Sequence, residues 1–82
     1  MDFQRIIVNS AGAAGETLEI HYGDGTSVTG FAQHVSFDYD PPYVNLCKSA
    51  VPRGQSPDHT VEIDKIIRVI VRAYRKDPVV YE

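Results

Sequence analysis

Tryptophan is absent from this 82-residue chain, and cysteine and methionine occur once each. A single thiol, Cys47, cannot close an internal disulfide and has no second cysteine at zinc-binding spacing, which predicts a cytoplasmic protein. The apolar run VNLC around it predicts a buried strand thiol; a redox or nucleophilic thiol is the functional alternative. No apolar run approaches the roughly 18 residues that cross a bilayer. The N-terminal MDFQRIIVNSAG has an acidic second residue and only three consecutive aliphatics, so neither signal peptide nor membrane anchor is expected. Positive charge is scarce too. Eight Lys+Arg against 11 Asp+Glu leave a net charge of −3, which disfavours non-specific nucleic-acid binding, because that rests on cations displacing counterions from phosphates.

Chemistry-bearing patterns are equally thin. His21, His34 and His59 are scattered, with no HxH, HxxxH or CxxC spacing to join them to Cys47, so neither a metal site nor a cofactor is expected. No nucleophile stands beside a base and an orienting third group, and an enzyme is not expected. Gly23-Asp24-Gly25 lacks the further glycine and helix start of a phosphate loop. Pro41-Pro42-Tyr43 lacks the spacer of the usual PPxY motif and reads as structural.

What is present is a β-rich single domain. Hydrophobic residues make up 43% of the chain, in short runs, and 82 residues suffice for one modest core, so residues 1–82 are taken as one unit. Phe3 to Val8 is a short β-prone run, followed by NSAGAAG as a flexible loop. In TLEIHYGDGTSVTGFAQHVSF, Leu18, Ile20 and Tyr22 alternate with Thr17, Glu19 and His21, and Gly23-Asp24-Gly25 supplies a hairpin turn. Val28, Gly30, Ala32 and His34 continue on one parity, with Gly30 marking a bulge or sharp bend. Asp40-Pro41-Pro42 interrupts pairing, Tyr43 to Lys48 resumes as a strand, and VPRGQSPDH reads as a long exposed loop.

HTVEIDKIIRVIV, His59 to Val71, admits two readings. As a helix, Asp64 would be its N-cap, and Ile63, Ile66, Ile67, Ile70 and Tyr74 would share a face. As strands, Val61 and Ile63 point inward, Asp64-Lys65-Ile66 turns a corner, and Ile67, Val69, Val71 and Ala73 face the core. Six of the nine residues from Ile63 to Val71 are Ile or Val, which suit a pleated sheet, and strands are the reading adopted. The expected fold is therefore mainly β: a small five- to six-stranded SH3-like/Sm-like barrel with long loops.

The succession TLEIHY, a DG turn, a glycine-bearing strand, YVNL, a loop and VEIDKIIRVIV resembles the core of SH3-like and Sm-like barrels over residues 17 to 71. Within them it is similar to the Rho-binding antiterminator family. That resemblance implies a small protein that binds the transcription terminator Rho and obstructs its RNA engagement through an acidic surface, for which Asp38, Asp40, Glu62 and Asp64 are the candidates. The family has a helical, acidic N-terminal segment, where this chain reads as strand and loop.

Two surfaces carry the functional expectation. Asp38 and Asp40, two apart on an extended chain, project the same way beside Tyr43; they hold a cation or a partner's arginine, or are a solvated strand end. Arg68, Arg72 and Tyr74, with Arg75 and Lys76, form a cationic row on a final strand taken as an edge. It serves as a solvated or ion-paired edge, as a protein contact, or as a base-stacking platform for RNA. The first expectation is a non-enzymatic regulatory module binding a protein, a Rho-like factor among the candidates. The second is an Sm-like RNA-binding or structural subunit that assembles into a homo-oligomer.

Overall fold

A computed structural model of the chain describes residues 2–13, 15–48 and 57–82. It contains helix α1 (Phe3–Ala11) and strands β1 (Thr17–Tyr22), β2 (Ser27–Ser36), β3 (Tyr43–Cys47), β4 (His59–Glu62), β5 (Ile66–Arg72) and β6 (Val79–Tyr81), with a single 3-10 turn at Ile63–Lys65. The six strands form one antiparallel sheet in the order β4-β3-β2-β1-β5-β6. The protein is thus mainly β, with one short helix.

The segment from His59 to Val71 is two strands joined by a corner, and the helical reading is excluded. Three residues separate β4 from β5, yet those strands stand four places apart in the sheet. A flat sheet would put them about 19 Å apart, more than the roughly 14 Å that Glu62 to Ile66 can span, so the sheet must coil. Ile63 anchors the corner: its amide donates to the Pro42 carbonyl at 3.0 Å, and its side chain is 5% exposed. No ladder among the described residues joins β4 to β5 or β6.

The N-terminal segment departs from expectation, forming a helix where a strand was expected. Asp2 caps it, accepting from the Arg5 amide at 3.2 Å, and the Gly12 N–H closes on the Ser10 and Val8 carbonyls. Helical spacing gathers Phe3, Ile6, Ile7 and Ser10 on one face, and that face covers the inner side of the sheet, mainly against β2. Tertiary burial outweighs the modest helix penalty of the β-branched Ile6-Ile7-Val8 run. Ile7 completes a core made with Leu18, Ile20, Val44, Leu46, Val61, Ile63, Ile66 and Val69. No helix among the described residues is long and apolar enough to cross a membrane.

Two register shifts correct the expected alternation. Between Ala32 and His34 the pairing of β2 with β3 skips Gln33, so His34 is exposed and Val35 turns to the core. Between His21 and Tyr22 the pairing of β1 with β5 skips Ile67, which is 52% exposed where strict alternation had placed it inside, while Ile66 is buried. An extra residue resets the two-residue period, and this is how a bulge re-aims side chains. Gly30 lies at neither shift. It marks a close approach: a Cβ there would meet the Cys47 carbonyl oxygen at 3.0 Å and Leu46 Cβ at 3.1 Å.

The hairpin turn is as expected. Gly25 has φ +91°, Tyr22 N–H donates to the Thr26 carbonyl at 2.9 Å, and Asp24 Oδ1 accepts from the Thr26 amide and hydroxyl at 2.9 and 2.6 Å. Those bonds hold the Asp24 carboxyl below its ordinary range. Cys47 is buried, as its apolar run implied, and its thiol donates to Gln33 Oε1 at 2.8 Å. Of the VPRGQSPDH segment, residues 51–56 lie outside the described residues. At its end, the Asp58 amide pairs with the Leu46 carbonyl and Asp58 Oδ2 accepts from the Lys48 amide at 2.7 Å.

Candidate binding surfaces

Asp38 and Asp40 lie in the connection from β2 to β3, and Tyr43 opens β3. The connection presents more than the two carboxylates. The Tyr39 ring is tilted against that of Tyr43 with centroids 5.6 Å apart, and the His34 ring lies 6.0 Å from Tyr43, also tilted. Tyr39 is 65% and Phe37 50% exposed. In the run Phe37-Asp38-Tyr39-Asp40, exposed aromatics and acids alternate along the connection. Neither Asp38 nor Asp40 pairs with a cation among the described residues. Phe37 and Tyr39 were missing from the expected site, although the alternation of aromatic and acid in FDYD was a readable signal. Pro42 makes the rim continuous with the 3-10 corner through its bond to Ile63, and Tyr43 stands directly opposite Glu62 on β4.

Arg68 and Arg72 are placed otherwise than expected. Their strand, β5, is flanked by β1 and β6 and is not an edge; the edges of the sheet are β4 and β6. The short Val79–Tyr81 strand escaped notice because three residues after Asp77-Pro78 carry almost no periodic signal. Arg72 Nη2 donates to Glu19 Oε1 at 3.3 Å, and Arg68 Nη2 to Glu82 Oε2 at 3.2 Å. His21 Nε2 lies 2.7 Å from the other Glu19 oxygen. Tyr74 is outside β5, in the turn toward β6, 83% exposed, with the Arg75 guanidinium 5.3 Å from its ring. Arg68, Arg72 and Tyr74 therefore do not form one free cationic row.

The His21 hydrogen bond, with help from Arg72 and against partial burial, holds the Glu19 carboxyl below its ordinary value of 4.5. A depressed acid stabilises the fold above its unfolded value, and the contribution is lost as pH falls through the folded one. Glu19→Gln is therefore expected to cost up to about 1 kcal/mol at pH 7, the scale of an exposed ion pair. The gap to wild type should close as pH drops below 4.5. Urea midpoints of both proteins from pH 7 to pH 3 measure it.

A third surface was missed. A cleft of about 270 Å³ opens between the β1–β2 turn and the end of β4, lined by Tyr22, Asp24, Thr26, Thr60, Glu62 and Lys65. Its lining joins Tyr22 of β1 to Thr60 and Glu62 of β4, strands three places apart in the sheet, and no local pattern announces that. Lys65 Nζ sits 3.1 Å from Glu62 Oε2. Burial and the nearby Asp24 and Glu62 charges push the Tyr22 phenol above its ordinary value, with Lys65 opposing.

No family model matches this chain, nor does any curated protein or solved structure.

Proposed function

We propose that the protein is a cytoplasmic, non-enzymatic regulatory module of SH3-like/Sm-like barrel form. It docks on a cationic protein surface through the rim of Phe37, Asp38, Tyr39, Asp40 and Tyr43. The observation that carries this reading is the exposed Tyr39, its ring tilted against that of the half-buried Tyr43, in the same connection as two carboxylates with no cationic partner among the described residues. Aromatic side chains give large, stiff contact area, and unpaired carboxylates steer and orient a basic partner. RNA is disfavoured by the other face, where the guanidiniums of Arg68 and Arg72 are held by Glu82 and Glu19.

The coiled sheet supports the barrel reading, and the partner class follows the Rho-binding antiterminator resemblance. Helix α1 reduces the departure from that family, whose members have a helical N-terminal segment. In this reading Asp38 and Asp40 face basic residues of a Rho-type termination factor and obstruct its RNA engagement by occupancy. Titration calorimetry with a purified Rho-type hexamer tests it. Wild type should bind saturably, the double reversal Asp38→Lys/Asp40→Lys should bind at least tenfold more weakly, and RNA should compete. Binding that is absent, or unchanged by the reversal, overturns the assignment.

A further inference from the structure

We propose that the cleft between the β1–β2 turn and β4 is a binding site for an arginine side chain of a protein partner, with Lys65 as the resident cation that arginine displaces. The inference rests on the protein-docking reading only for who supplies the arginine.

The cleft places one carboxylate on each wall, Asp24 from the turn and Glu62 from the strand, with the Tyr22 ring between the turn and the corner. Asp24 is held in place by its two Thr26 hydrogen bonds, both of which fall on Oδ1; the described contacts leave Oδ2 open. Thr60 and Thr26 add hydroxyl groups to the lining. A guanidinium is planar and carries five donors, so it can bridge carboxylates on opposite walls and lie against a phenol face, where an ammonium makes only a point contact. The raised phenol value of Tyr22, to which both carboxylates contribute after burial, reports the negative potential that a cation would meet. Among the described residues no three His, Cys, Asp or Glu side chains converge as a metal ion would need.

Lys65 explains how the site opens. A second hollow of about 310 Å³, lined by Tyr22, Gly23, Asp24 and Lys65, shares three of its residues with the cleft. Lys65 thus borders both. Its only carboxylate partner among the described residues is Glu62, three residues back, and its side chain is 69% exposed. Such a pair is weak, and the side chain can leave for water with little loss. Its departure frees the Glu62 carboxylate. Tyr43, opposite Glu62 in the β3–β4 ladder, connects this groove to the acidic rim, so a basic partner segment could reach both.

Amide chemical-shift titration with Nα-acetyl-L-arginine methylamide tests the site without knowledge of the partner, and the neutral isostere Nα-acetyl-L-citrulline methylamide serves as the control. The arginine probe should give saturable shifts confined to Tyr22–Thr26 and Thr60–Lys65, and citrulline should give none. Asp24→Asn combined with Glu62→Gln should abolish saturation, while Lys65→Met should tighten the probe by about two- to fivefold, the change expected from removing a competing exposed ion pair. An unchanged amide spectrum away from the cleft shows that each variant is folded. Equal response to citrulline, shifts centred on residues 37–43 instead, or weaker binding in Lys65→Met would overturn the assignment. Those results would leave the rim reading standing, since the calorimetric test uses Asp38 and Asp40 and not the cleft.

Discussion

Gly30→Val is expected to destabilise the protein by about 3 kcal/mol, at the upper end of the range for overpacked cores. Gly30 sits in β2 opposite Leu18, and β3 passes over it so closely that a Cβ would stand 3.0 Å from the Cys47 carbonyl oxygen, 3.1 Å from Leu46 Cβ and 3.4 Å from the Cys47 amide nitrogen. Two of those atoms are backbone and cannot swing aside. To admit even the Cβ, the β2–β3 contact must give by a few tenths of an ångström, beside the fully buried Leu46. Small domains are stable by only about 5–15 kcal/mol, so the variant should lose much of its margin. The urea midpoint of the variant against wild type measures the loss, and an unchanged midpoint would contradict the close approach of β2 and β3.

Ile7→Ala is expected to cost about 2–5 kcal/mol, the usual range for truncating a buried isoleucine. Ile7 is 0% exposed and lies in the central cluster, held over the sheet by the face that Phe3, Ile6 and Ser10 complete. Its neighbour Val8 is 43% exposed on the opposite side of the helix, and Val8→Ala should change stability by less than about 0.5 kcal/mol. The pair separates helix from strand. In a strand Ile6 and Val8 would share a face; in the helix Ile6 sides with Ile7, and Val8 is spared. Calorimetric melting of both variants gives the comparison, and equal losses would contradict the helical face.

The same residues show what the sequence made legible. The hairpin from Thr17 to Ser36 was readable because period-2 alternation and a Gly-Asp-Gly turn are local signals. So was a corner between His59 and Val71, read at Asp64–Ile66 and found one residue earlier at Ile63–Lys65, with Ile66 opening β5. α1 was not, since Ile6-Ile7-Val8 favours a strand locally and becomes a helix only where its apolar face covers the sheet. The bulges at Gln33 and Ile67 were also hidden, because a register shift is decided jointly by two strands. Asp38, Asp40 and Tyr43 were singled out on charge and position, and they fall in and beside the β2–β3 connection. Arg68 and Arg72 were assigned to an edge because β6 was too short to notice, and their carboxylate partners Glu19 and Glu82 lie 53 and 14 residues away in sequence.

Tyr43 of the rim stands opposite Glu62 of the cleft in the β3–β4 ladder, and neither Asp38 nor Asp40 pairs with a cation among the described residues. The opposite balance holds on β1 and β5, where Glu19 and Glu82 hold the two arginines.

Quantitative affinity capture from the protein's own cell extract tests the central claim most directly, with wild type compared against Asp38→Lys/Asp40→Lys at matched fold and loading. The account predicts one basic-surfaced protein enriched at least tenfold by wild type and lost from the reversed variant, with RNase treatment leaving the capture intact. Equal recovery by both proteins, or capture abolished by RNase, would contradict it.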